Sequence, residues 1–272
     1  ISFAVLLGVA CFPQATRAAI PVDKKLEAKV EKTLSKMTLE EKIGQMTELS
    51  IDVLGEWKNG EFQLNKDKVY NAIAKYKVGS VLNSPGPVAQ TREKWQELIG
   101  EIQKMSMKEI GIPCIYGLDQ NHGTTYTLDG TLFPQNINLG ASFNPQLAYD
   151  AATVTAYETR AANCPWTYSP TVDMARDPRW SRVEESMGED PVLMGVMGAA
   201  LCRGLSKGDI THPDATLATL KHFIGYGTTE GGQNGGQSVI TERDLLQNFL
   251  PPFKQAINSG ALSVMTSYNS LD

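Results

Sequence analysis

No CxxC or HExxH run occurs in this chain, which has only four cysteines and three histidines in 272 residues. Cys11, Cys114, Cys164 and Cys202 show no metal-ligand spacing, alone or with His122, His212 and His222, so a metal site built by the protein is not expected. No GxGxxG follows the first strand candidate and no GxxxxGK[ST] is present, which counts against dinucleotide and P-loop nucleotide binding. There is no basic stripe: 25 Lys and Arg stand against 30 Asp and Glu, for a net charge of −5 and a pI near 5.4, so nothing favours nucleic acid as a partner. The apolar run ISFAVLLGVACF is too short to span a bilayer. Low-complexity tracts, blocks of one charge and short repeats are also missing.

What is there is an ordinary globular composition, 42% hydrophobic and 20% charged, able to bury a sizeable core. The opening apolar run is followed by PQATRAA, small residues suited to signal peptidase near Ala18. Residues 1–19 therefore read as most of a secretory signal clipped at its start, with a buried N-terminal strand or helix as the alternative; secretion or periplasmic export is expected. Cys11 in GVAC is a weak lipid-anchor candidate, with Gly8 where such sites usually carry Leu. Without the leader three cysteines remain, so at least one is unpaired. Cys114, in a strand-like apolar run, and Cys202, in a helix-like one, read as buried inert thiols.

Helical periodicity marks DKKLEAKVEKTLSKM, KDKVYNAIAKYK, QTREKWQELIGEIQKMSMKEI, PQLAYDAATVTAYETRAAN, PVLMGVMGAALCRGL and TERDLLQNFLPPFKQAINSG. Asn144-Pro145 and the Thr241/Asp244 pair mark helix starts, and Gly111 and Gly260 mark ends. Strand candidates alternate with these: KIGQMTEL, VGSVLN, IPCIYGLD, TYSPTVD, TLATLKHF and LSVMTSYN. The alternation predicts an α/β fold with a parallel sheet, doubly wound or a barrel. Asn83, Asp119, Asp173, His222 and Tyr268 fall at the C-terminal ends of successive strands, where a (β/α)8 barrel carries its active site. A closed barrel needs eight strands and about six can be placed, so an incomplete TIM-barrel-type domain over residues 20–272 is expected, with about two βα units still to follow SVMTSYNSLD.

Four segments carry candidate chemistry. In IYGLDQNHG, Asp119 ends an apolar strand; a carboxylate there could accept from two neighbouring hydroxyls of a sugar, or simply cap a helix. In AYETRAAN, Arg160 lies near a helix end, where a surface cation compensating the helix dipole is the plainer account. In TLKHFIGYGTTEGG, Lys221 and His222 follow an apolar run directly, and adjacent strand residues reach one site only if the backbone is irregular. The glycines beyond suit a mobile loop over a pocket or a long surface loop. MARDPRWSRVEESMGEDP, with Arg176, Asp177, Arg179, Arg182, Glu184, Glu185, Glu189 and Asp190, reads as an ion-pair network fixing a long loop, or as a charged surface loop.

Taken in order, GLD…HG, ETRA, DPRWSRVEESMGEDP, KHFIGYG and SVMTSYNSLD resemble glycoside hydrolase family 3, the β-glucosidase and exo-glucanase type, from about Thr38 onward. The resemblance implies that Asp119, Arg160, Lys221 and His222 bind hydroxyls of a terminal sugar, that Met265 and Tyr268 line the same subsite, and that Arg179 belongs to the supporting loop. It implies a retaining hydrolase of β-linked gluco-oligosaccharides that needs no cofactor, using two carboxyls about 5 Å apart. Neither carboxyl has a counterpart in the sequence: the nucleophilic Asp is expected on the strand after SYNSLD, and the acid/base Glu in a second α/β sandwich domain. KHFIGYG carries Ile224 and Tyr226 where the β-N-acetylhexosaminidase branch has Pro and His, which favours a glucosidase. A β-xylosidase or β-N-acetylhexosaminidase of the same family is the alternative within the class, and a non-catalytic carbohydrate-binding protein the alternative outside it.

Overall fold

A computed structural model describes residues 23–272; the candidate signal at 1–19 and Cys11 lie outside the described residues. Six strands form one parallel sheet in sequence order: β1 (Glu48–Ser50), β2 (Ser80–Leu82), β3 (Ile115–Leu118), β4 (Trp166–Thr167), β5 (Leu217–Phe223) and β6 (Ser263–Thr266). The sheet curls. In a flat sheet β1 and β4 would stand about 14 Å apart, three strand spacings. Yet the Tyr168 hydroxyl, just past β4, donates to Glu48 on β1 at 2.8 Å. The sheet is thus an open α/β half-barrel, as expected from the alternation of elements, with β1 and β6 at its edges among the described residues.

The helices are α1 (Lys24–Leu34), which buries none of its residues, α2 (Leu39–Gln45), α3 (Arg92–Glu109), α4 (Asn136–Ala141), α5 (Pro145–Ala161) and α6 (Pro191–Ser206). Their starts follow local chemistry. Thr91 caps α3, Asn144 caps α5 and Asp190 caps α6, the latter two ahead of a proline that has no N–H to leave unpaired. Gly111, at φ +75°, follows α3 and donates to the Ser106 carbonyl, closing the helix end. The last helical stretch, 242–257, runs through Pro251 and Pro252; the wider π turn Leu245–Phe249 stands immediately before them, where an ordinary turn would set a proline ring against the carbonyl four residues back.

Two expectations are corrected, and one element is new. KIGQMTEL is not one strand: a capping box between Thr38 and Glu41 starts α2 and carries it to Gln45, leaving only Glu48–Ser50 to pair. TYSPTVD pairs regularly only at Thr167: Pro170 has no N–H to donate, and beyond it Thr171 makes one isolated bridge to Lys221. A hairpin, Gly55–Lys58 with Glu61–Leu64, was not expected, although Asn59-Gly60 at its tip has the two positive φ angles of a tight hairpin turn.

Two apolar clusters hold the layers together. Trp95, Leu98, Ile99 and Ile102 of α3 pack with Tyr116, Leu118 and Val81 of the sheet. Ala148, Ala152 and Ala156 of α5 pack with Met194, Met197 and Leu205 of α6 and with Leu220 of β5. Small residues set that second distance: a Cβ on Gly204 would meet the Tyr149 carbonyl at 2.5 Å.

Candidate functional site

The C-terminal ends of β3 and β5 bring together residues a hundred positions apart. Asp119, directly after β3, places Oδ1 2.5 Å from Nζ of Lys221, which is only 1% exposed. The same ammonium lies 3.8 Å from Oε2 of Glu185. Glu185 accepts a guanidinium fork from Arg182, at 2.7 Å from Nε and 2.8 Å from Nη2. Burial pushes the Glu185 carboxyl up, but the Arg182 hydrogen bonds and the Lys221 charge outweigh it and leave the group below the usual range. Burial likewise works against the charge of Arg182, and Glu185 more than restores it.

His222 makes a second pair beside the first. Its Nδ1 lies 2.7 Å from Oδ2 of Asp173, and the same oxygen accepts the His222 backbone N–H at 3.1 Å. An ionised carboxylate only accepts, so Nδ1 carries the hydrogen and Nε2 is turned away from the pair. Lys221 and His222 are both buried, which a regular strand would not allow at one mouth. The backbone is irregular there, as expected: pairing with β6 shifts register between Leu220 and Phe223, and the Lys221–His222 and Phe223–Ile224 peptides are cis.

An aromatic wall completes the mouth. Tyr226 is buried, with Trp180 at 5.1 Å, His222 at 5.2 Å and Tyr268 at 6.2 Å, each edge-on, and Arg182 lies 5.6 Å over its ring. Its hydroxyl donates to Asn234 in the glycine-rich loop. Tyr268 is 77% exposed and flanks the mouth from the β6 side, with Met265 half-buried on β6 itself.

Arg179 sits on the neighbouring loop with its head group 69% exposed and forked onto Asp177, whose carboxyl these Arg179 side-chain and backbone hydrogen bonds hold at about 2. Its backbone makes the supporting contact: Gly232, at φ +70°, lies so close that a Cβ would meet the Arg179 carbonyl carbon at 2.7 Å. The charged segment forms a network only in part. Arg182 and Glu185 join the site, Asp190 caps α6, and Arg176 reaches Asp244 at 2.9 Å.

The structure does not bring Arg160 to the constellation. Its Nε donates to the Pro213 carbonyl at 3.1 Å. Pro213 lies four residues before β5 begins, whereas Lys221 lies four residues beyond that start; at about 3.3 Å per residue the strand separates the two by more than 10 Å. The working residue of ETRA is Glu158. It accepts from the Thr124 hydroxyl at 2.7 Å, the Thr131 N–H at 2.8 Å and the Thr131 hydroxyl at 2.7 Å, clamping the loop that follows Asp119.

Arg182, Glu185 and Tyr226 therefore join the candidate site although the sequence did not single them out for it, whereas Asp173 falls at the active-site end of a strand in the sequence reading. Arg182 and Glu185 stood within the charged motif, but nothing local distinguished them from the exposed Arg179 and Asp177. A separate cavity of about 360 Å³, lined by His122, Phe133, Leu147 and Leu201 among others, touches none of Asp119, Lys221 and His222. Among the described residues no group of three His, Cys, Asp or Glu side chains is placed to hold a metal. Chemically, the site offers fixed N–H donors interleaved with carboxylate acceptors beside aromatic faces, an arrangement suited to adjacent hydroxyls on a sugar ring.

The family model described as the glycosyl hydrolase family 3 N terminal domain matches residues 38–272. The chain belongs to glycoside hydrolase family 3. Lysosomal beta glucosidase of Dictyostelium discoideum is 37% identical over 252 residues, covering 87% of this chain and 30% of that protein. A beta-xylosidase of Formosa agariphila is 38% identical over 173 residues, 61% of this chain and 24% of that protein. Among solved structures, exo-1,3/1,4-beta-glucanase from a Pseudoalteromonas species superposes with a TM-score of 0.83 at 33% identity, covering 93% of this chain and 32% of that one. The family 3 chain thus spans about a third of the length of such relatives.

Proposed function

We propose that the protein carrying this family 3 chain is a retaining, exo-acting β-glucosidase that removes terminal non-reducing β-D-glucosyl residues from β-linked gluco-oligosaccharides. The observation that carries the proposal is the convergence of Asp119–Lys221 and His222–Asp173 at the C-terminal mouth of the half-barrel, beside Tyr226 and Tyr268. Asp119, Lys221, His222, Met265 and Tyr268 would hold the terminal sugar, with Arg182 and Glu185 fixing Lys221. Asp119 faces Lys221, Asp173 faces His222 and Glu185 faces Arg182, so each carboxylate of the constellation is already engaged by a nitrogen donor. We therefore assign the nucleophile and the acid/base to carboxylates outside this constellation. The apolar run and small residues at the N-terminus support export, to the periplasm or beyond.

The test is hydrolysis of an aryl β-D-glucoside by the full-length protein, followed by NMR of the first-formed sugar. Release of the β-anomer supports the proposal, and release of the α-anomer overturns retention. A β-xyloside assayed in parallel addresses the second reading, which the identity to the Formosa enzyme favours. Residues 1–272 alone are expected to give no turnover.

A further inference from the structure

Four residues after Met265 and directly after Tyr268, the side chain of Asn269 turns back toward β5. Its Nδ2 lies 3.1 Å from Oγ of Ser238, 3.4 Å from the Ile224 carbonyl and 3.3 Å from the Ser270 carbonyl. Carbonyl oxygens only accept, so the atom facing them is the amide nitrogen. Ser238 is fully buried and passes its own hydroxyl hydrogen to the Gly225 carbonyl at 2.9 Å. Ile224 and Gly225 follow Lys221, His222 and Phe223 immediately. A short parallel ladder reinforces the link: Ser270–Leu271 pairs with Gln237–Ser238, and the Ile240 N–H donates to the Asp272 carbonyl at 3.0 Å.

We propose that Asn269 is a positioning residue of the sugar site, tying the strand end that carries Lys221 and His222 to the one that carries Met265 and Tyr268. The role rests on the sugar-binding function proposed above. Asn269 touches neither Lys221 nor His222; it acts through the turn after them and through the glycine-rich loop, so that the two walls of the mouth keep one separation. The link needs a donor. A carboxylate of the same shape has no N–H to give to Ile224 and Ser270 and would set like partial charges against each other.

The experiment compares Asn269→Ala, Asn269→Asp, Ser238→Ala and the Asn269→Ala/Ser238→Ala pair in the full-length protein. The readouts are kcat and KM on an aryl β-glucoside, glucose affinity, and the rate of limited proteolysis within residues 226–237. Misplacing a binding wall by an ångström costs up to about a hundredfold. Both Asn269 variants are expected to lose tenfold or more in kcat/KM and to weaken glucose binding, with thermal stability little changed and faster cleavage of 226–237. Ser238→Ala loses less, and the double variant is no worse than Asn269→Ala alone. Wild-type kcat/KM and glucose affinity in Asn269→Asp overturn the proposal, as do multiplicative losses in the double variant. Should Asn269→Ala fail to fold, Asn269→Asp and Ser238→Ala decide in the same way. Should the wild-type protein hydrolyse no glycoside, the glycosidase reading falls, and the Asn269 link is judged by proteolysis: faster cleavage in Asn269→Asp supports it and unchanged cleavage refutes it.

Discussion

Removing the Glu158 carboxylate tests whether the loop behind Asp119 is held by chemistry or only by packing. Three donors meet this one group: the hydroxyls of Thr124 and Thr131 and the Thr131 N–H. In Glu158→Ala all three lose their partner. Thr124 is fully buried, whereas Thr131 is half-buried and can turn to water. A buried polar group left unpaired costs about 1–3 kcal/mol, so the sum, discounted for the access at Thr131, is about 2–3 kcal/mol. Glu158→Gln keeps an acceptor and the shape but loses the charge, and about 1 kcal/mol is expected. The pH dependence separates the two. Burial pushes the Glu158 carboxyl up, and its hydrogen bonds from Thr124 and Thr131 outweigh this and leave it lowered. A group depressed in the folded state stabilises the fold above its unfolded value, about 4.3, and that contribution fades as pH falls through the folded value. Urea unfolding at pH 7 and at pH 3 should therefore show the Glu158→Gln deficit at the higher pH and its loss at the lower. A Glu158→Ala protein within 0.5 kcal/mol of wild type, taken as about the effect of an ordinary surface substitution, would refute the clamp.

Two further outcomes are expected. Lys221→Met should abolish detectable glucose binding while Arg160→Ala leaves it unchanged, measured by calorimetry on both; equal losses would return Arg160 to the site. Cys114, Cys164 and Cys202 are free and buried, and burial pushes each thiol up to about 12; none should react with iodoacetamide at pH 8 in the native protein, and all three should after unfolding in urea, by peptide mass mapping.

The fold was legible where local chemistry and global architecture agree. The helix starts at Asn144 and Thr241 carry their caps in sequence, and the β/α alternation gives a parallel sheet with its polar groups at one end. The strand lengths were less legible. KIGQMTEL has strand composition, but a four-residue capping box outranks it, and the hairpin at Asn59-Gly60 was overlooked although its turn chemistry was present. Asp119, Lys221 and His222 could be named as site candidates because polar groups at the end of an apolar run are out of place unless they meet partners. The partners themselves could not be named, since Glu185 and Asp173 reach Lys221 and His222 only through the fold. Arg160 shows the converse case. A short motif says that some residue in it matters, and only the direction of the helix shows that Glu158, two positions earlier, is the one turned toward the loop.

The parts of this chain that resist sequence rules are the parts that build the site. β4 has only two regularly paired residues, and the stretch after it stays bonded to β5 through Ser169, Pro170 and Val172, which carries Asp173 to His222. The register shift after Leu220 lets Lys221 and His222 turn to one mouth, where a regular strand would send one of them outward. Gly225, at φ +85°, then turns the chain where a Cβ would strike Ile240 at 2.5 Å, and the loop that follows returns at Ser238 to meet Asn269. A regular sheet would be easier to read and would not bring these pairs together. The irregularities are confined to strand ends, where they cost few ladder hydrogen bonds, and the buried clusters beneath them keep the alternation that made the fold readable.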